Sequence, residues 1–368
     1  MNDLGFAPKH MLIADKVRDN ILSGNLAVGS RLMPDTELAK LYEVNKKTVA
    51  NGMAMLVAAG LISRSPGRGS IVIKQETSAK TTRKAVGLVV LSQGDLYENI
   101  AGGIAESLMK RGLYPVLANN TIFSTAISTV SSKHLYSLIE SILMDDPFGL
   151  IVDGDETVPF TLLGRNIGRC KNIVFVNRYQ AKKRISGARY VLTDYEEGGR
   201  VVARHLIEMG HKRITFFPNR EYTKVGYIGS PQQQILAGIK EVCFAEIVEF
   251  NNQIPERLLA GDALENVCAD CLTGKNCPTG AGAQSDWEVF HNISPALAKV
   301  GLSIPGDISM LGFFNTPWSE KFPTPLTSVS INETTLAKLA VQMVADEIKE
   351  TEIRIKPELV VRKSVVSL

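Results

Sequence analysis

The chain has 368 residues, room for two or three ordinary domains, and its 45% hydrophobic and 21% charged content is that of a water-soluble globular protein, which excludes a disordered, collagen-like or coiled-coil chain. No apolar run approaches the roughly 18 residues that span a bilayer. The amino terminus lacks the basic start, apolar stretch and small-residue cleavage site of a secretory leader, so a cytoplasmic location with no membrane partner is expected. The net charge of +3 hides an asymmetry: residues 1–84 hold 13 basic and 7 acidic side chains, or +6, and the remainder 28 and 31, or −3. A basic head on a mildly acidic body suggests a polyanion-binding module joined to a part with another task.

In chain order, the head reads as three helices and a two-stranded wing. A helix over 9–23 repeats Ile13, Val17 and Ile21 every four residues and meets Gly24 at its end. A short helix follows Pro34, with Leu38 and Leu41 inward, and a turn leads to Asn45, a residue suited to cap a third helix reaching about 59. Its apolar stripe of Val49, Met53 and Leu56 leaves Lys46, Lys47 and Asn51 on or near the opposite face. Strands at 62–64 and 71–73 then flank a Pro-Gly-Arg-Gly turn that presents Arg68.

The strings ILSGNLAVGSRL (21–32), ELA (37–39), VNKKTV (44–49), GLI (60–62) and GRGSIV (67–72), in order over about 65 residues, resemble the GntR-type winged helix-turn-helix. The resemblance implies that residues 1–75 bind double-stranded DNA, with the third helix in the major groove and the wing tip at the minor groove. Thr36 and Ala50 stand where that family usually has arginines, and Lys46 replaces another. Asn45, Lys46, Lys47, Thr48 and Asn51 carry the right chemistry: lysine neutralises phosphate or donates to guanine, asparagine pairs with adenine, and a threonine hydroxyl bonds phosphate. Arg31, Arg64 and Arg68 are further candidates.

Residues 76–84 are polar and free of aromatics, as linkers are. From 85 onward apolar runs at 86–91, 114–118, 149–152 and 173–176 alternate with helical stretches at 100–111 and 135–144. The rhythm resumes with a helix at 196–209, a strand at 213–217, a helix at 233–242 and strands near 247–250, 280–284 and 308–312. This is the pattern of an α/β fold, a doubly wound parallel sheet covered on both faces, repeated in two lobes.

HLIEMGHKRI (205–214), LSIPGDISMLGF (302–313) and PLTSV (325–329), followed by a helix at 334–350, are similar to the effector domain of LacI/GalR-type regulators, itself related to periplasmic binding proteins. The resemblance covers most of 85–368. It implies two lobes joined by three crossovers with an effector between them, lobe one near 85–192 and 315–331 and lobe two near 193–314 and 332–368. Ligand groups are expected on loops at the carboxyl ends of strands. That rule selects Ser92, Gln93, Asp95, Tyr97, Asp153, Asp155, Asn177, Arg178, Gln234, Ser285, Asp286, Phe314, Asn315 and Trp318. Where the sugar-regulator family often has an arginine, an Asn-Asp pair and an aspartate, this chain has Ile235, Ser285-Asp286 and Phe314, which disfavours the usual monosaccharide.

Enzyme signatures are weak: no G-x-G-x-x-G turn, P-loop or G-x-S-x-G elbow occurs. Cys268, Cys271 and Cys277 lack the fourth ligand that a structural zinc requires, so no metal and no cofactor is expected. The residues point to a homodimeric, ligand-responsive transcriptional regulator, most simply a repressor, on a pseudo-palindromic operator, with a sugar or sugar derivative as effector. The alternatives are a cytoplasmic solute-binding sensor and an α/β enzyme with a DNA-binding appendage.

Overall fold

The computed structural model describes residues 9–22, 24–65, 69–73, 84–90, 95–119, 132–154, 158–168, 170, 172–179, 184–219 and 229–368. Two compact units divide the chain, one up to residue 82 and one from 83.

In the first unit α1 (Lys9–Leu22), α2 (Asp35–Leu41) and α3 (Lys46–Ala58) precede the hairpin β1 (Ile62–Ser65) and β2 (Gly69–Val72). The apolar stripe of α1 buries Ile13, Val17 and Ile21 against Val49, Met53 and Leu56 of α3, with Leu38, Ile62 and Val72 closing the core. The helices cross closely because Gly52 has no side chain: a Cβ there would lie 2.5 Å from the His10 carbonyl oxygen. Asn45 caps α3, its side-chain oxygen accepting from the Thr48 amide at 2.7 Å. The hairpin is antiparallel in the register Ile62↔Val72 and Ser65↔Gly69, and Arg31 forms a bridge to Ile71 beside it.

The second unit opens with β3 (Ala85–Val90), α4 (Asp95–Met109), β4 (Tyr114–Asn119), α5 (Ser132–Met144), β5 (Gly149–Gly154), α6 (Phe160–Asn166), β6 (Ile173–Tyr179) and β7 (Arg189–Thr193). It continues with α7 (Tyr195–Glu208), β8 (Arg213–Phe217), α8 (Pro231–Ala245), β9 (Glu249–Phe250), α9 (Gln253–Ala260) and α10 (Leu264–Cys271). Next come β10 (Gly280–Ala283), α11 (Asp286–Glu288) running into a π-helical turn (Val289–Ile293), α12 (Ser294–Lys299), β11 (Ser309–Phe313) and α13 (Pro317–Lys321). The chain closes with β12 (Thr327–Ser330), α14 (Glu333–Val344), β13 (Glu352–Ile355) and β14 (Glu358–Val360).

Two six-stranded sheets result, in the orders β4-β3-β5-β6-β7-β13 and β9-β8-β10-β11-β12-β14. Every pairing is parallel except β12 with β14. The near-continuous apolar strands β5 and β6 suit a sheet covered on both faces. Helices α7 and α8 meet through reciprocal glycines: a Cβ on Gly199 would overlap the Ile235 carbonyl oxygen, and one on Gly238 the Glu196 carbonyl oxygen.

The carboxyl-terminal segments are shared between the lobes differently from the expected division. β12 pairs with β11, which puts 327–330 in the second lobe, while α14 packs on α4, β5, β6 and β7 and β13 pairs with β7, which puts both in the first. The chain therefore crosses between lobes at 193–195, 330–333 and 355–358, each time at the carboxyl end of a strand. One core runs through both lobes, from Val86 and Ile104 to Phe313 and Leu336, with Tyr195 among its largest buried side chains.

Candidate functional site

On the first unit, Lys46, Lys47 and Asn51 are exposed along the first turns of α3, the face the apolar stripe leaves free. Asn45 and Thr48 lie at the same end but spend hydrogen bonds on each other: the Asn45 side-chain oxygen also accepts from Thr48 Oγ1 at 2.8 Å. Arg31 is exposed beside β2, and Arg68 lies outside the described residues. Arg64, a further phosphate candidate, is held in an ion pair. Its Nη2 donates to Asp35 Oδ2 at 2.6 Å, with side chains 32% and 14% exposed, so the pair ties the start of α2 to the wing strand.

At the carboxyl ends of the first-lobe strands, Arg178 forks onto Asp153: Nε donates to Oδ1 at 2.9 Å and Oδ2 at 3.1 Å, and Nη2 donates to Oδ2 at 2.8 Å. Both side chains are 2% exposed. Expected as ligand groups, the two instead neutralise each other and brace β5 against β6, because neither charge could be buried alone. Asn177, between them in the sequence reading, has a left-handed backbone (φ 70°) and is 1% exposed. Its Oδ1 accepts from Thr193 Oγ1 at 3.0 Å and from the Tyr195 hydroxyl at 2.7 Å, while its Nδ2 has no partner among the described residues. Burial raises the Tyr195 phenol above its ordinary range, so it stays a neutral donor to Asn177. Ser92, Gln93 and Asp155 lie outside the described residues, and Asp95 and Tyr97 fall in the first turn of α4.

In the second lobe, Ser285 caps α11, accepting from the Glu288 amide at 3.1 Å. Asp286, expected at the ligand, is fully buried and used internally. Its Oδ2 accepts from the Thr316 amide at 2.6 Å and Thr316 Oγ1 at 3.1 Å, and its Oδ1 from Ser328 Oγ at 2.6 Å. One carboxylate thus stitches together the ends of β10, β11 and β12. Burial pushes its pKa up to about 7, against the pull of the Ser328 and Thr316 bonds and of Arg362. Gln234 Nε2 donates to the Gly229 carbonyl at 2.7 Å, before α8. Phe314 and Asn315 both have positive φ, 86° and 48°. Phe314 meets Tyr195 edge-on at 6.4 Å, and Asn315 Oδ1 accepts from Arg362 Nη2 at 2.8 Å. Trp318 lies with Phe290 and His291, at 5.0 and 4.6 Å between ring centres.

The strand ends also hold residues that sequence reasoning missed. Asn219 follows β8, its amide donating to Gln232 Oε1 at 2.9 Å and its Nδ2 to Glu288 Oε2 at 3.1 Å. Gln284 follows β10, where the expected strand absorbed it; it is 7% exposed and its Oε1 has no partner among the described residues. Tyr195, also unforeseen, begins the first crossover, bonds the first lobe through Asn177 and packs on Phe313 and Phe314 of the second. Cys268 and Cys271 are buried thiols outside any disulfide in the core around α10, and no group of three His, Cys, Asp or Glu among the described residues is placed to hold a metal ion.

Residues 11–72 match the family of bacterial regulatory proteins, gntR family, and residues 203–365 match the periplasmic binding protein-like domain. The chain is 23% identical over 377 residues, 97% of each chain, to an arabinose metabolism transcriptional repressor of Geobacillus stearothermophilus. A putative ribose operon repressor from Burkholderia thailandensis superimposes with a TM-score of 0.60 at 22% identity, covering 76% of this chain and 99% of that one. A LacI family regulator from Enterococcus faecium with bound ribose gives a TM-score of 0.58 at 20% identity, covering 77% and 100%. The architecture is a GntR-type winged helix joined to a two-lobed periplasmic-binding-protein-like domain, and no helix among the described residues is long and apolar enough to cross a membrane.

Proposed function

We propose that this chain is a ligand-responsive transcriptional repressor of carbohydrate uptake or catabolism genes, whose affinity for its operator is set by a small-molecule effector held at the strand ends of the second unit. One observation carries the reading: a winged helix that exposes Lys46, Lys47 and Asn51 is joined to a body with a buried donor, Asn177 Nδ2, that has no partner among the described residues and lies beside the interlobe crossings. The full-length relative named for arabinose metabolism and the neighbour that holds ribose support a sugar or sugar derivative as effector. The protein acts on the chromosome, in the cytoplasm, and senses rather than transforms its ligand.

As a homodimer it sets two α3 helices in successive major grooves, about 34 Å apart on a pseudo-palindromic operator. Lys46 and Lys47 supply phosphate neutralisation or guanine contacts, and Asn51 an adenine contact, while Arg31 and Arg68 are further phosphate candidates. Asn45 and Thr48 act chiefly through the cap that aims α3. Effector binding shifts the dimer between arrangements only through its different affinity for each. Selection of operator fragments from genomic DNA, followed by anisotropy titration, tests the DNA half. The Lys46→Ala, Lys47→Ala double variant should bind more weakly and lose about 2 from its logarithmic salt slope, at about 0.9 per lost phosphate contact. Unchanged affinity would remove α3 from the interface.

A further inference from the structure

We infer that Gln284 is the effector's anchor in the second lobe, and that the effector is an uncharged, polyhydroxylated molecule that donates a hydroxyl hydrogen bond to its side-chain oxygen. The inference rests on reading the second unit as a ligand sensor. Gln284 extends the ladder of β10, its amide donating to the Phe217 carbonyl at 3.0 Å. Side chains alternate along a strand. A Cβ on Gly280 would meet Leu206 and His211, and one on Gly282 would meet Val202 and Ile239, so this face of β10 looks toward α7 and α8. Gln284 stands one step further along it, just past the Ala283–Phe217 pair at the end of β8.

Its neighbours there are satisfied. Asn219 bonds Gln232 and Glu288, Ser285 caps α11, and Asp286 binds Thr316 and Ser328. A buried carbonyl oxygen without a donor costs stability, and a network that bonds its described neighbours to one another but not Gln284 Oε1 leaves a place for a donor from a bound molecule. Electrostatics narrow the donor's identity. Glu288 and Asp286, both buried, follow directly in the chain, and the Arg178 guanidinium at the first-lobe strand ends is bonded to Asp153. An anion would meet those carboxylates with Arg178 bonded to Asp153 and Arg362 bonded to Asn315 and the Leu326 carbonyl, whereas hydroxyls can donate to Gln284 and accept from Asn177 Nδ2, which has no partner among the described residues.

The test is thermal unfolding of the full chain with L-arabinose, D-ribose, D-xylulose and D-ribose 5-phosphate, for the unaltered protein, Gln284→Met and Gln284→Leu. Methionine keeps the length of the side chain, and leucine is the second variant should it fail to fold. The account expects at least one neutral pentose at saturation to raise the Tm of the unaltered chain by roughly 3 °C or more, and the phosphate ester not to. Both variants should lose that shift while their ligand-free Tm stays level or rises, since the orphaned acceptor has been removed. A full shift in the variants overturns the role of Gln284 and leaves the sensor reading standing. A ligand-free Tm lowered by several degrees in both makes Gln284 a structural residue and equally overturns it. A shift with the phosphate ester alone overturns the uncharged ligand, and no shift with any compound overturns the sugar-sensor reading itself.

Discussion

The winged helix and the strand-end site handle polar side chains in opposite ways. On α3 the proposed DNA contacts, Lys46, Lys47 and Asn51, are exposed and come from one short stretch of chain. At the strand ends Asp153, Asn177, Arg178, Tyr195, Gln284 and Asp286 are buried and satisfied, or left unsatisfied, by residues distant in sequence. A polyanion is met at a surface, where charge acts through solvent and a lost side chain costs little stability. A small ligand is met inside, where each polar atom must be matched or remain an orphan. Mutations of exposed groups in the first unit should therefore spare stability, whereas in the second unit removing a matched polar group should cost stability and removing an orphan should not.

The largest effect expected is at the Asp153–Arg178 pair. Asp153→Ala leaves a buried guanidinium uncompensated and should cost about 3–5 kcal/mol of second-unit stability. Denaturant melts would expose the contrast with Lys46→Ala, which should be neutral; a cost below about 1 kcal/mol at Asp153 would mean that solvent reaches the pair. Next is Asp286. Its carboxyl, near 3.8 when unfolded, titrates near 7 in the fold, so the native state holds the proton more tightly. Stability from this group is full at low pH, falls as pH rises between those values, with a slope of at most about 1.4 kcal/mol per unit, and is flat above. Asp286→Asn should remove that component, seen as a change in the pH slope of the Tm; an unchanged slope would assign the titration elsewhere.

Smaller effects sharpen the other side of the comparison. Asn45→Ala removes the α3 cap and should destabilise the winged helix by about 1 kcal/mol while Lys46 and Lys47 remain in place. Loss of DNA affinity far beyond that cost, measured below the melting range, would make Asn45 a direct contact. Smallest is the Asp35–Arg64 pair, partly exposed and therefore worth about 0.2–1 kcal/mol in a double-mutant cycle. Asp35→Asn frees Arg64 for phosphate and should steepen the salt dependence of DNA binding by roughly one unit; a shallower slope would show that the pair holds Arg64 in its DNA-binding pose.

The same division explains what could be read from residues alone. The three helices of the first unit, the cap at Asn45 and the exposed lysines follow from periodicity within a dozen residues, and the α/β rhythm from apolar runs separated by amphipathic ones. Short elements escaped: α6, α9, α12 and α13 span too few turns to show a period, and β13, an edge strand with alternating exposure, looks like a loop. Which lobe takes β12 and α14 depends on partners rather than on their own residues. The strand-end rule found Asn177 and Asp286 but not their use, since Asp153 and Arg178 pair across 25 residues and Asp286 reaches Ser328 across 42. It stopped one position past Gln284, which nothing local distinguishes from the strand it ends.

Ligand chemistry in the second unit should control DNA affinity in the first. The direct measurement is an anisotropy titration of the full chain against a fragment it selects from genomic DNA, with and without a saturating pentose chosen from the thermal-shift set. The apparent Kd should change by at least about tenfold, equivalent to a coupling of about 1.4 kcal/mol. The change should be abolished in Gln284→Met, with DNA affinity in the absence of sugar retained. Identical titrations with and without a pentose that demonstrably binds would contradict the claim.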